Sequence, residues 1–149
     1  MDKYIGTKMV EAKPMNRGEY NEYRGWIIPE GENPADDGYL VKYQDGYESW
    51  SPKKQFEDAY RDCKGMTFGI ALDLLKKGCR VARMGWNGKG QYIELAENIS
   101  YLNMSGEVVN AEHEAIGNRA IAFVGTSGVQ LGWLASQADM LAEDWVVVE

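Results

Sequence analysis

The chain has 149 residues, 44% of them hydrophobic and 26% charged, which are ordinary values for a globular protein. Its net charge of −7 is spread evenly, with 8 basic and 12 acidic side chains in residues 1–60 and 8 and 11 in residues 61–149. Nucleic-acid binding needs clustered Lys and Arg, so we expect none. No apolar run is long enough to span a membrane and no apolar signal core begins the chain, so we expect a cytosolic protein.

Residues 1–61 predict a small β-rich module closed by a helix. Residues 3–13 and 23–28 have the composition of strands. Asp45-Gly46 separates two further strand patterns and predicts a type I′ hairpin turn. Ser51-Pro52 predicts the start of a helix over residues 52–61, with Ser51 as N-cap.

Residues 66–149 predict a short helix on a twisted antiparallel β-sheet. Thr67 is a suitable N-cap, apolar residues follow at helical spacing, and Gly78 is a suitable left-handed stop. The later strand patterns do not alternate with helices, so the fold class is α+β rather than a parallel sheet. These predicted strands cover residues 79–84, 91–95, 101–103, 107–110, 120–124, 129–134 and 145–148.

The turn GWNGKG, residues 85–90, joins the first two of those strands and carries Trp86 and Asn87. An exposed indole is a stacking platform for a nucleobase, and an amide beside it offers donors and an acceptor. Alternatively, Trp86 folds back as a lid on the core and Asn87 belongs to an ordinary turn. Arg83 precedes the turn and could clamp a phosphate, or it could be a solvent-facing strand residue paired with Glu94.

The segment QADMLAEDW places Asp139, Asp144 and Trp145 near the end of the chain. Carboxylates can accept hydrogen bonds from ribose hydroxyls. The alternative is structural: Asp139 caps a short helix and Asp144 begins a strand. The single histidine, His113, has no nucleophile motif around it, and Cys63 and Cys79 have no metal-ligand spacing. We therefore expect no catalytic residue, metal or cofactor.

The run MTFGIALDLLKKGCRVARMGWNGKGQYIEL and the tail WLASQADMLAEDWVVVE resemble the second type of Thoeris anti-defense protein, a phage domain family. The resemblance covers residues 66–149 and implies a homotetramer that sequesters a cyclic ADP-ribose-type signal without cleaving it. It assigns ligand contacts to Trp86, Asn87, Asp139, Asp144 and Trp145. Arg83 and Tyr92 join this set because they are adjacent to the turn. Residues 1–60 resemble an accessory phage module.

Three functions follow as hypotheses. The first is a phage sponge for this signal, acting in the cytoplasm of the infected host. The second is an enzyme that cleaves a cyclic nucleotide with Asp139 or Asp144. The third is a structural or adaptor protein whose aromatic first module binds a protein partner.

Overall fold

The computed structural model of the chain describes residues 1–86, 90–115 and 117–149. The chain divides into two compact units, Met1–Arg61 and Asp62–Glu149. Both combine helices with antiparallel sheet, which confirms the predicted α+β class. None of the helices in the described ranges is long and apolar enough to cross a membrane.

The first unit is a three-stranded antiparallel sheet with two helices, in strand order β1-β2-β3. Tyr20, Leu40 and Val41 are its buried hydrophobic residues. Its elements are β1 (Glu11–Pro14), α1 (Arg17–Arg24), β2 (Gly38–Lys42), β3 (Glu48–Pro52) and α2 (Lys53–Ala59).

The strand predicted over residues 23–28 is wrong: helix α1 takes up residues 23 and 24, and residues 26–28 belong to no helix or strand. Asn16 accepts a hydrogen bond from the Glu19 backbone N–H at 2.8 Å, and the Glu19 carboxylate accepts one from the Asn16 N–H at 2.9 Å. Gly25 ends the helix with φ +71°. This capping box fixes a helix start, and it outweighs the strand preference of Tyr23. The strand predicted over residues 3–13 forms only from Glu11 onward, where β1 pairs with β2. The prediction is wrong for residues 3–10, which belong to no helix or strand.

Asp45-Gly46 forms the predicted hairpin between β2 and β3, but the turn type differs. Tyr43 donates its backbone N–H to the Tyr47 carbonyl at 2.8 Å, which leaves a three-residue loop. Only Gly46 has positive φ, at +88°, so the loop is a turn followed by one left-handed residue rather than type I′. The next helix begins at Lys53 with Pro52 as its N-cap, one residue later than predicted, because Ser51 belongs to β3.

The second unit begins with helix α3 (Phe68–Lys76), as predicted. Thr67 is its N-cap, and the Thr67 hydroxyl accepts a hydrogen bond from the Ile70 N–H at 3.4 Å. Gly78 follows the helix with φ +89°, the left-handed conformation that favours glycine. Ala71, Leu74 and Leu75 are buried on the inner face. The helix therefore contributes one apolar face to the core of this unit.

A five-stranded antiparallel sheet lies under this helix, in the order β10-β4-β5-β8-β9. The core cluster joins α3 to the sheet through Val81, Ile93 and Trp145, each fully buried. Because alternate residues of a strand point to opposite faces, Tyr92 and Glu94 lie on the face away from α3. The strands are β4 (Arg80–Arg83), β5 (Tyr92–Glu97), β8 (Arg119–Gly125), β9 (Gly128–Leu131) and β10 (Trp145–Val148).

Three shorter elements complete the second unit. The predicted strands within residues 101–110 pair as the hairpin β6 (Tyr101–Leu102) and β7 (Val108–Val109). Helix α4 (Gln137–Leu141) lies between β9 and β10. This helix precedes Asp144 and Trp145, so it helps to position the acidic-aromatic tail.

Candidate functional site

Arg83 brings both predicted carboxylates together at the end of β4. Its Nε donates to Oδ1 of Asp144 at 2.9 Å, and its Nη1 donates to Oδ1 of Asp139 at 3.0 Å. A guanidinium has five N–H donors, so others are left for a ligand. One cation against two carboxylates leaves a net charge of −1 on this cluster. Towards a ligand, the site therefore offers mainly carboxylate oxygens as hydrogen-bond acceptors, together with a guanidinium whose charge is already paired. We call Arg83, Asp139 and Asp144 the acidic cluster.

Hydrogen bonding keeps both carboxylates of the acidic cluster ionised. The hydrogen bond from Arg83 is the main reason that the pKa of Asp144 is lowered, opposed by burial and helped by the Gly85 N–H. Burial raises the pKa of Asp139, but hydrogen bonds from Ser136 and Arg83 outweigh it, so this pKa is lowered overall. The same two carboxylates raise the pKa of Arg83. All three groups are charged at neutral pH.

The start of helix α4 fixes the Asp139 side chain. Ser136 is the N-cap: its hydroxyl accepts from the Asp139 N–H at 3.1 Å, and the Asp139 Oδ2 accepts from the Ser136 N–H at 2.9 Å. This capping box leaves Oδ1 for Arg83. The Trp145 indole N–H donates to the Asp139 carbonyl at 2.9 Å. The acidic cluster is therefore attached to the core through a buried tryptophan.

Trp86 follows Arg83 by three residues and packs against three other aromatic side chains. Its ring is edge-on to Phe123, Trp133 and Trp145, with centroid distances of 5.4, 6.0 and 5.5 Å. Trp145 is fully buried, whereas Trp86 is half-buried at the margin of the core. Trp86 thus occupies the lid position that the sequence left open as an alternative, while part of its surface remains accessible. We call Trp86, Phe123, Trp133 and Trp145 the aromatic cluster.

The turn after β4 is held to the acidic cluster by a backbone contact. The Gly85 N–H donates to Oδ2 of Asp144 at 3.3 Å. A Cβ at position 85 would stand 3.4 Å from the same oxygen, an ordinary van der Waals distance, so this contact does not itself require glycine. Asn87, the second predicted ligand residue of the turn, lies outside the described residues.

Tyr92 is separated from the other predicted ligand residues. It lies on the sheet face away from α3, with the Arg80 guanidinium 4.8 Å from its ring centroid. Arg80 also pairs with Glu94, with its Nε 3.3 Å from the carboxylate. The pairing with Glu94 that we considered for Arg83 is thus made by Arg80. Of the predicted ligand residues described, the structure brings together Arg83, Trp86, Asp139, Asp144 and Trp145.

Sequence reasoning did not identify Trp133, Phe123 or Ser136 as part of this site. Ser136 had a readable signal, because Ser-x-x-Asp before a helix is a capping box. The sequence contains no comparable signal for Trp133, because its contact with Trp86 depends on how the chain after β9 returns over the sheet. The backbone N–H of Trp133 donates to the Ile121 carbonyl at 2.9 Å, and this bond fixes the return of the chain.

The second unit also contains the single histidine and several acidic side chains, residue types that can bind a metal ion. No group of three or more His, Cys, Asp or Glu side chains in these ranges is placed to hold a metal ion. His113 is exposed, with its Nδ1 2.6 Å from the Asn98 carbonyl oxygen. What the site combines is an aromatic surface, fixed carboxylates and an oriented guanidinium. These groups can bind a polar, ring-containing ligand by stacking and hydrogen bonding.

Comparison with known proteins places this site in a family. Residues 66–148 match the family model of the Thoeris anti-defense 2-like domain. Over 88 residues the chain is 39% identical to Thoeris anti-defense 2 of Bacillus phage SP01, a segment that is 56% of this chain and 94% of the relative. These matches confirm the resemblance predicted for residues 66–149. Because the match covers more than half of its residues, the chain belongs to the Thoeris anti-defense 2-like domain family.

Proposed function

We propose that this chain is a phage anti-defense protein that captures an intact cyclic ADP-ribose-type signal in the host cytoplasm and thereby blocks Thoeris defense. The family match supports the anti-defense role. The observation that carries the binding proposal is the adjacency of the acidic cluster and the half-buried Trp86 within the matched domain. The protein acts as a sponge rather than as an enzyme.

In this proposal the indole, the carboxylates and the guanidinium each contact a different part of the ligand. The accessible surface of Trp86 stacks on a base or a ribose face. Asp144, whose side chain is 34% exposed, accepts hydrogen bonds from ribose hydroxyls. The Arg83 donors that Asp139 and Asp144 do not use reach the pyrophosphate. Arg83 also orients both carboxylates before the ligand arrives, which lowers the ordering cost of binding.

Tight capture requires an enclosed site. Sequestration at signalling concentrations needs a dissociation constant on the order of nanomolar, or about −12 kcal/mol. Pockets of that quality bury most of the ligand surface. The acidic cluster lies at the margin of a single five-stranded sheet covered by one layer of helices, so we propose that a second subunit closes the pocket in a homotetramer.

Titration calorimetry followed by heat release tests this proposal. Purified protein is titrated with a cyclic ADP-ribose-type messenger, then the complex is denatured by heat and the released nucleotide is analysed by mass spectrometry. Sequestration predicts tight binding and recovery of the messenger at unchanged mass. Recovery of a linear product would instead indicate the cleaving enzyme. No binding heat, together with capture of a protein partner by residues 1–61, would indicate the adaptor.

A further inference from the structure

The two edge strands of the five-stranded sheet, β10 and β9, differ in whether another segment hydrogen-bonds to their outer side. At β10, the Met66 N–H donates to the Trp145 carbonyl at 2.9 Å and the Trp145 N–H donates back at 3.1 Å. The Val147 N–H also donates to the Cys63 carbonyl at 3.3 Å, so the preceding segment covers this edge. At β9, pairing is with β8 alone across the ranges that the structure describes.

The register shows which groups of β9 point outward. Gly125 and Gly128 close the two-residue loop to β8, and the Gly132 N–H donates to the Ile121 carbonyl at 3.0 Å. Antiparallel ladders alternate, so Gln130, halfway between Gly128 and Gly132, also turns its N–H and C=O toward β8. The N–H and C=O groups of Val129 and Leu131 therefore point away from the sheet.

Among the described residues, the outer edge over Gly128–Leu131 has no charge, proline or covering segment; a bulge follows only at its end, where the backbone N–H groups of Gly132 and Trp133 both donate to the Ile121 carbonyl. Natural edges carry charges, proline, bulges or a covering segment. All four residues of β9 are exposed, including Val129 at 63% and Leu131 at 51%. The strand lies within residues 120–138, a run of 19 residues without one charged side chain in a chain of net charge −7. A neutral strand on an acidic protein is a place where two copies can meet without charge repulsion.

We infer that β9 pairs with β9 of a second copy of this chain, antiparallel and about a twofold axis at Gln130. In this register Val129 of each copy lies opposite Leu131 of the other, and the outward groups of both residues are satisfied by about four backbone hydrogen bonds. Val129 and Leu131 share a sheet face, so the pairing also creates apolar cross-strand contacts. The same patch serves both subunits, as a twofold interface requires.

This inference rests on the homo-oligomer in the proposed function and names one of its interfaces. Antiparallel pairing joins two five-stranded sheets into one and leaves α3 of both copies on the same side. The acidic cluster contributes no residue to the seam, because Arg83, Asp139 and Asp144 lie outside β9. Pairing at the β9 seam and contacts of the messenger with the acidic cluster can therefore be measured separately.

Amide hydrogen exchange on the full-length protein, with the subunit count from light scattering, tests the seam directly. We expect slow exchange at Val129 and Leu131 in the assembled protein and faster exchange on dilution below the dissociation constant. Gln130 is the internal control, because β8 protects its amide in either state. Assembled protein in which the Val129 and Leu131 amides exchange as freely as unstructured ones would overturn the inference, as would a monomer at every concentration.

A matched pair of variants gives the second readout. Val129→Pro removes one outward N–H and none of the bonds to β8, and edge strands tolerate proline at such positions. We expect it to reduce the subunit count while the Gln130 amide stays protected. Val108→Lys, at a 57% exposed apolar position on β7, is the control and should leave assembly unchanged.

An unchanged subunit count in Val129→Pro, with the Gln130 amide protected, would contradict the seam. If Val129→Pro unfolds, exchange at Val129 and Leu131 in the unmodified protein decides alone. Messenger titration separates this inference from the proposed function. Protected seam amides in a protein that binds no messenger would leave the seam standing and reject the sponge. Messenger binding without protected seam amides would reject the seam alone.

Discussion

Arg83 and Trp145 lie directly opposite each other in the β4–β10 ladder. Arg83 binds two carboxylates, Asp139 within α4 and Asp144 after it, while Trp145 is fully buried and donates its indole N–H to the Asp139 carbonyl at 2.9 Å. This pair of opposite residues therefore connects the acidic cluster to the hydrophobic core. Changes on either side of this pair should affect stability and ligand binding in different proportions.

Trp86→Ala should abolish messenger binding and lower stability by about 1–3 kcal/mol, because it removes three edge-to-face aromatic contacts at a half-buried position. Trp86→Phe keeps an aromatic ring in the cluster and should retain part of both properties. Calorimetric titration and urea unfolding measure the two effects. Full-strength binding by a folded Trp86→Ala protein would remove this residue from the site.

Arg83→Met should make the free energy of unfolding less dependent on pH in acid. Asp139 and Asp144 have lowered pKa values in the folded protein. Their stabilising effect is therefore complete above the unfolded-state value of about 3.9 and is lost as pH falls through the lower folded values. In Arg83→Met those folded pKa values move upward toward the unfolded-state value, so less stability is lost as the pH falls.

Urea unfolding of the unmodified and Arg83→Met proteins between pH 7 and pH 3 checks this expectation. The gap between the two proteins should be widest at neutral pH and should narrow below about pH 4. Arg80→Met is the control, because Arg80 pairs with Glu94 on the other sheet face. A gap of constant size across the range would mean that Arg83 stabilises through packing alone.

Ser136→Ala should cost about 1 kcal/mol of stability, since it deletes the N-cap of α4. It should also weaken messenger binding, because Asp139 Oδ2 loses the Ser136 hydroxyl that accompanies its backbone bond. Ser127→Ala, in the exposed loop between β8 and β9, is the comparison and should change neither property. Equal effects of the two substitutions on binding would separate the capping box from the site.

Trp145→Ala should destabilise the second unit by about 3–5 kcal/mol, as expected for truncating a fully buried tryptophan. Leu141→Ala, at a 79% exposed position, should stay within about 0.5 kcal/mol. Urea unfolding, monitored by tryptophan fluorescence, measures the free energy of unfolding of both variants. Similar stabilities for both variants would contradict the placement of Trp145 in the core.

Local signals in the sequence were sufficient for most of the second unit. Thr67 and Gly78 set the ends of α3, and the apolar spacing between them identified its buried face. The first unit was harder, because the Asn16–Glu19 capping box overrides the strand preference of the residues that follow. The start of such a helix can be predicted from the sequence only if its capping box is recognised first.

The site was predictable in its residue types but not in its pairing. Arg83 and Asp144 are 61 positions apart, and only the β4–β10 ladder brings them within 2.9 Å. Tyr92 was selected because it is near the turn in sequence, yet strand alternation places it on the opposite face of the sheet from Ile93. Sequence proximity does not determine which face a strand residue occupies.

Native mass spectrometry of the protein purified from cells that make the cyclic ADP-ribose-type signal tests capture of an intact messenger most directly. The account predicts a multimer that retains a small molecule with the mass of the uncleaved cyclic nucleotide, and a Trp86→Ala protein from the same cells that retains none. Ligand-free protein in the presence of abundant signal, or a retained mass equal to that of a cleaved product, would contradict it.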